Sequence, residues 1–176
     1  TDGTPEGTVL VKDVNPEDND EGINHLTAAG SNVFFSGYDA DNGQELWFSD
    51  GTADGTVRVT QLAPGAESVA PADMIWADGL LFFTAYNEPG GGEDNSRSLW
   101  VSDGTESGTV PVIDPYPGGN AQFSAFHAVG EIVYFVADDG VHGEELWRSD
   151  GTPEGTWMVK DIWIGPGDSF ITEIID

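Results

Sequence analysis

Short runs of alternating apolar and polar residues make up this chain, and no segment shows an apolar recurrence every three to four positions, which predicts strands and no helix. The strongest runs are Val33-Phe34-Phe35, Leu81-Phe82-Phe83 and Val133-Tyr134-Phe135. Aromatic residues on adjacent positions of a strand point to opposite faces, so these strands are expected in sheets covered on both sides. Ahead of each stands a weaker run (Leu26 and Ala28, Met74 and Trp76, Phe126 and Ala128) closed by a glycine turn at Gly30, Gly79 or Gly130. Behind each, past a polar and mostly acidic loop, comes Leu46-Trp47, Leu99-Trp100 or Leu146-Trp147. A last run follows as Val57-Arg58-Val59, Val110-Pro111-Val112 or Trp157-Met158-Val159, with a further copy in Val9 to Val14. Pro111 has no N–H for a central ladder, which assigns this last run to a sheet edge.

The runs are tied together by a repeated phrase: ELWFSDGTADGT at 45–56, SLWVSDGTESGT at 98–109, EELWRSDGTPEGT at 144–156 and a shortened TDGTPEGT at 1–8. The Asp residues of the four Asp-Gly-Thr turns, Asp2, Asp50, Asp103 and Asp150, are 48, 53 and 47 residues apart. A fixed period of this size signals stacked supersecondary units. Four short strands per period, unable to cover both faces alone, describe an antiparallel β-propeller blade. The expected fold is therefore all-β: a β-propeller or propeller-like array of four-stranded antiparallel blades. Residues 1–176 form one repeat array with units 2–49, 50–102, 103–149 and a partial 150–176. In this phase about three blades are complete. An orphan outer strand stands at the start and an orphan inner strand, Phe170 to Ile175, at the end, so the chain reads as an excerpt of something longer. The second repeat is the irregular one, with YNEPGGGEDNSRS in place of YDADNGQE and DDGVHGEE.

Charge narrows the choice of partners. Against 32 Asp and Glu stand 5 Lys and Arg, for a formal net charge of −27. Such a surface repels phosphate backbones, so no nucleic acid partner is expected, and no run approaches the ~20 apolar residues of a membrane helix, so no membrane insertion is expected. Self-repulsion on this scale calls for cations, either a diffuse saline atmosphere or bound calcium, and points to a saline or extracellular setting. The chain has no cysteine, which removes disulfide, thiolate-zinc and cysteine-nucleophile chemistry together.

The phrases ELWFSDGTADGT and EELWRSDGTPEGT, the latter followed by TWMVKDI, resemble the ELWxxDGT repeat of bacterial secreted and surface proteins, and the likeness runs over essentially the whole chain. The resemblance implies an extracellular, non-catalytic, propeller-like array, and carries over no catalytic residue. Ser98 departs from the pattern by replacing the Glu of the phrase.

Candidate chemistry sits in the acidic loops. Asp39-Ala40-Asp41-Asn42-Gly43, with Glu45 behind it, alternates carboxylates before a glycine, as loops that wrap oxygen ligands around calcium do. Asp138-Asp139-Gly140, with Glu144 and Glu145, is a looser version at the equivalent place. The candidate metal ligands are Asp39, Asp41 and Glu45, then Asp139 and Glu145, set against the plainer reading of solvated acidic turns. The four Asp-Gly-Thr aspartates are read as turn formers, because a residue needed in every repeat is structural before it is catalytic. Trp47, Trp100 and Trp147 are expected to pack blade on blade. Trp76 and Trp163 are candidates for exposed aromatic surface, and Trp157 for core. His25, His127 and His142 fall at unrelated repeat positions without a zinc pattern, and no phosphate loop or nucleophile elbow is present, so no enzyme is expected. The sequence reading is a non-catalytic extracellular scaffold or adhesion module that presents acidic rim loops to a protein or glycan partner, with calcium as a candidate stabiliser. An accessory structural subunit, pairing its orphan end strands with further repeats or other chains, is the alternative. A carbohydrate-active propeller enzyme ranks third.

Overall fold

The structure, a computed structural model, describes residues 1–16, 22–63, 65, 67–88, 90, 92 and 95–175. It is all-β, with three separate four-stranded antiparallel sheets among the described residues and no helix. The first sheet contains β1 (Asn24–Ala29), β2 (Asn32–Asp39), β3 (Gly43–Ser49) and β4 (Val57–Arg58), in that order across the sheet. The middle sheet repeats it with β5 (Ala72–Ala77), β6 (Leu80–Tyr86), β7 (Arg97–Ser102) and β8 (Val110–Ile113). The third has β9 (Ser124–Val129), β10 (Ile132–Asp138), β11 (Glu144–Ser149) and β12 (Trp157–Lys160). Pro111 lies on β8, an edge strand, where its missing N–H costs no ladder bond.

Register repeats with the order. Phe35 stands opposite Trp47, Phe83 opposite Trp100 and Phe135 opposite Trp147. Each pair stacks, with ring centroids 6.1, 6.3 and 6.3 Å apart. The neighbouring position, Phe34, Phe82 or Tyr134, points to the other face, as strand alternation requires. Each sheet thus carries a Phe–Trp face and an opposite face.

The sheets are held together by joining unlike faces. Phe34 and Leu46 of the first sheet share one buried cluster with Leu81, Phe83 and Trp100 of the middle sheet. Phe82, Leu99 and Val101 on the middle sheet's other face share a second cluster with Val133, Phe135 and Trp147 of the third. The inner strands β1, β5 and β9 run beside one another where the sheets converge. Fully burying a side chain of this size contributes roughly 1.5–3 kcal/mol, so these two interfaces supply much of what holds the sheets together.

The two outermost faces are treated differently from those inside. On the Phe–Trp face of the first sheet, Val14 from the N-terminal segment packs on Phe35 and Trp47, and no other sheet lies there among the described residues. At the other end, Leu146 is half-buried, whereas its counterparts Leu46 and Leu99 are 0% exposed. The runs expected as orphan strands, Val9 to Val14 and Phe170 to Ile175, are not paired as strands. Of the irregular loop of the second repeat, four of the seven residues from Glu88 to Asp94 lie outside the described residues.

Candidate functional site

The recurring phrase folds into the same turn four times. Asp50 Oδ1 accepts the Thr52 backbone N–H at 2.8 Å and its hydroxyl at 2.7 Å. The Thr52 hydroxyl oxygen in turn accepts the Gly55 N–H at 2.9 Å, and the Thr52 carbonyl accepts the Thr56 hydroxyl at 2.6 Å. Ser49 Oγ lies 2.7 Å from Thr56 Oγ1 beneath the turn. The same network surrounds Asp103 and Asp150, and even the N-terminal Asp2, where Thr1 replaces the Ser. The Asp-Gly glycine takes φ of +89 to +91°, a region open to glycine. The second glycine of the phrase is required for another reason: a Cβ at Gly7, Gly55, Gly108 or Gly155 would overlap the turn's own carboxylate. Hydrogen bonds from the Thr hydroxyl and N–H hold all four aspartates below the usual carboxylate range. One carboxylate oxygen of each aspartate is thus bound within its own turn.

The Glu of the phrase has a longer reach. Glu45 is fully buried, and its two oxygens accept the backbone N–H groups of Leu62 at 3.0 Å and Ala63 at 3.1 Å. Glu145, equally buried, takes Ile162 at 2.9 Å and Trp163 at 3.2 Å. Each Glu pins the segment by which the chain leaves its sheet. Burial pushes Glu45 up to about 7, against the lowering effect of the two amides and of Arg58. In the middle sheet Ser98 replaces the Glu, and the position matching Leu62 is Pro115, which has no N–H to offer. A relay takes over: the Ser98 hydroxyl donates to Asn87 Oδ1, Asn87 Nδ2 donates to Asp114 Oδ2 at 2.8 Å, and Asp114 Oδ1 accepts the Tyr116 N–H at 3.0 Å.

The candidate metal ligands are placed as follows. Asp39 Oδ1 accepts the Asp41 N–H at 3.1 Å and Asn42 Nδ2 at 2.6 Å, and Asp39 Oδ2 lies 4.0 Å from Arg58 Nη1. Asp41 shares that loop, while Glu45 turns away to its two amides. Asp139 Oδ1 accepts the N–H groups of Val141 and His142, and its Oδ2 lies 2.8 Å from His142 Nδ1. Burial works against the Asp139 charge, but the His142 ring and the backbone N–H groups hold its carboxyl low, and the same contact raises His142. Among the described residues, no three His, Asp or Glu side chains gather into a group that could hold a metal ion.

Two concave places were not visible in the sequence. One is a groove of about 350 Å³ where the inner strands meet, lined by His25, Asp73 and Phe126 among others. The other, a cleft of about 540 Å³ between the middle and third sheets, gathers Asp73, Arg97, Asn120, Gln122, Ser124 and Glu144. Arg97 is fixed there by the Ala70 carbonyl, the Thr84 hydroxyl and the Tyr86 ring, whose centroid is 4.4 Å from Cζ. Burial, followed by Asp168 and Asp138, raises Glu144. The one available signal was register: Arg97 of the irregular repeat occupies the position of Gln44 and Glu144 in the other two.

The aromatic surface also departs from expectation in two places. Trp76 stacks on Phe34 of the neighbouring sheet at 5.9 Å instead of lying on exposed surface. Trp157, expected in the core, is 45% exposed, with the Arg148 guanidinium over its ring.

No protein-family model, curated protein or solved structure matches this chain. The likeness to the ELWxxDGT repeat therefore rests on the repeated phrases themselves.

Proposed function

We propose that this chain is a non-catalytic segment of a β-propeller or propeller-like array, working outside the cell as a scaffold or adhesion module. The observation that carries the reading is the fate of the recurring polar residues. The Asp and Thr of all four phrases are engaged in turns, and the Glu of the two phrases that carry it in this register, Glu45 and Glu145, in clamps, so what recurs is a way of shaping turns and directing the chain between sheets. The net charge of −27 suits a saline exterior and an array kept apart from other acidic surfaces. For the partner, the cleft around Arg97 offers amides, carboxylates, a hydroxyl and a fixed guanidinium, the groups that hydrogen-bond a polyhydroxylated glycan. Calcium at Asp39 and Asp41, or at Asp139, is the proposed stabiliser of the rim.

An accessory subunit is the second reading, favoured by the exposed apolar side chains of the terminal segments: Leu10 is 80% and Ile164 89% exposed.

Thermal unfolding in chelator, in millimolar calcium and in molar sodium chloride tests the rim. A saturable rise in midpoint with calcium at matched ionic strength supports bound calcium, and a rise with molar salt alone removes it. Titration with a panel of soluble glycans, repeated on Arg97→Ala, tests the cleft. Turnover of any glycan, read as new reducing ends or unsaturated products, would overturn the non-catalytic reading.

A further inference from the structure

Among the described residues, the third sheet leaves half-open a face that the other two bury. Tyr134 and Leu146 occupy the register of Phe34 and Leu46, which the middle sheet covers, and of Phe82 and Leu99, which the third sheet covers. On the third sheet both are only half-buried.

The chain leaving this face is held in the pose it takes between sheets. Glu145 clamps Ile162 and Trp163 as Glu45 clamps Leu62 and Ala63. Leu62 and Ala63 then pack into the interface with the next sheet. Ile162 and Trp163 remain 51% and 61% exposed. Farther along, Asp168 Oδ1 accepts the Glu144 N–H at 3.0 Å, as Ser68 Oγ accepts that of Gln44 at 2.9 Å. Two residues later Phe170 takes φ of +53°, matching +44° at Ala70 and +48° at Gln122, the turns that lead into β5 and β9. The lead-in to a fourth inner strand is thus built, and the strand itself is unpaired.

We infer that the outer face of the third sheet, together with residues 162–175, is a docking surface for one more sheet of this same repeat, presenting a Phe–Trp face like that of the middle sheet. The occupant follows from continuity: both sheet-on-sheet interfaces among the described residues join this kind of face to a Phe–Trp face, with Leu62 and Ala63 of the departing chain packed into the first. The inference rests on the stacked-array reading and adds where the next unit binds and which residues receive it.

The test uses residues 1–176, extended after residue 176 by a second copy of residues 129–163. This continues the register set by matching Asp168 to Ser68 and Asn120. Native-state hydrogen exchange is measured on residues 171–175 with and without the extension. The expected result is slowing of these amides by about tenfold or more, together with a higher thermal midpoint. Replacing the added counterparts of Phe135 and Trp147 by Ser should abolish both effects. Unchanged exchange at 171–175, in an extended chain whose first three sheets stay folded, would overturn the inference. Small-angle scattering on the same chain reads the propeller separately: protected amides in an open, uncurved row support the docking surface while removing the propeller.

Discussion

The middle sheet and its two neighbours are built from one repeat but held by different means. The neighbours each keep a buried Glu that ties down the departing chain, and each has one face poorly covered by other sheets. The middle sheet lacks that Glu and is covered on both faces, with Phe82 at 1% and Phe83 at 0% exposure. Packing between neighbours therefore carries the sheets, and the Glu clamp directs the chain from one to the next. In the middle sheet the clamp was replaceable because Ser98, Asn87 and Asp114 reconnect the loop in another way.

The largest effect should separate the buried middle from the open end. Phe83→Ala is expected to cost about 3–5 kcal/mol, and Tyr134→Ala on the half-buried outer face about 1 kcal/mol. Denaturant unfolding of the two variants measures the contrast, and equal costs would erase it.

Protonation comes next. Because Glu45 is raised to about 7 in the fold from 4.5, the fold favours its neutral form. Its contribution is complete below the unfolded value and is lost as pH rises through about 7. Relative to Glu45→Gln, the wild type should lose on the order of 3 kcal/mol across that window, a shift of one pKa unit being worth about 1.4 kcal/mol. Unfolding free energies of the pair from acid to alkaline pH supply the check, and parallel curves would reject it.

Exchanging the clamps sharpens the comparison further. Ser98→Glu places a carboxylate where Pro115 has no N–H and Asp114 already binds Tyr116, and should destabilise by about 1–3 kcal/mol. Glu145→Ser should cost less than Glu45→Ser, since it frees amides beside exposed Ile162 and Trp163, whereas Ala63 is buried at 1% exposure. The order of midpoints among the three variants decides.

The smallest effect belongs to the turns. Gly55→Ala drives a methyl into the Asp50 carboxylate and should cost about 1–2 kcal/mol, the scale of a lost cap. Gly7→Ala, in the copy that belongs to no sheet, should leave the unfolding midpoint nearly unchanged. Calorimetry on the two variants tests the difference.

The strands, their order of appearance, the edge position of Pro111 and the Asp-Gly-Thr turns were legible because each depends on near neighbours or on a period of two. The terminal runs at 9–14 and 170–175 carry the right pattern but are not paired as strands among the described residues, and pattern alone forms no ladder. Spacing presents Glu45 and Glu145 as candidate calcium ligands. It does not show that amides 17 and 18 residues downstream reach them. Trp76 looks like surface until the neighbouring sheet brings Phe34 against it, and the cleft around Arg97 exists only between two sheets. Contacts between repeats are set by three-dimensional stacking, and no one-dimensional period reports them.

Native-state hydrogen exchange across the three Phe–Trp hairpins, β2–β3, β6–β7 and β10–β11, tests most directly that coverage by neighbours holds each sheet. The account predicts the slowest exchange in β6 and β7, despite their missing Glu, with the other two hairpins opening first. Slower exchange in β2–β3 and β10–β11 than in β6–β7 would show that the Glu clamps, and not the stacking of sheets, hold the molecule together.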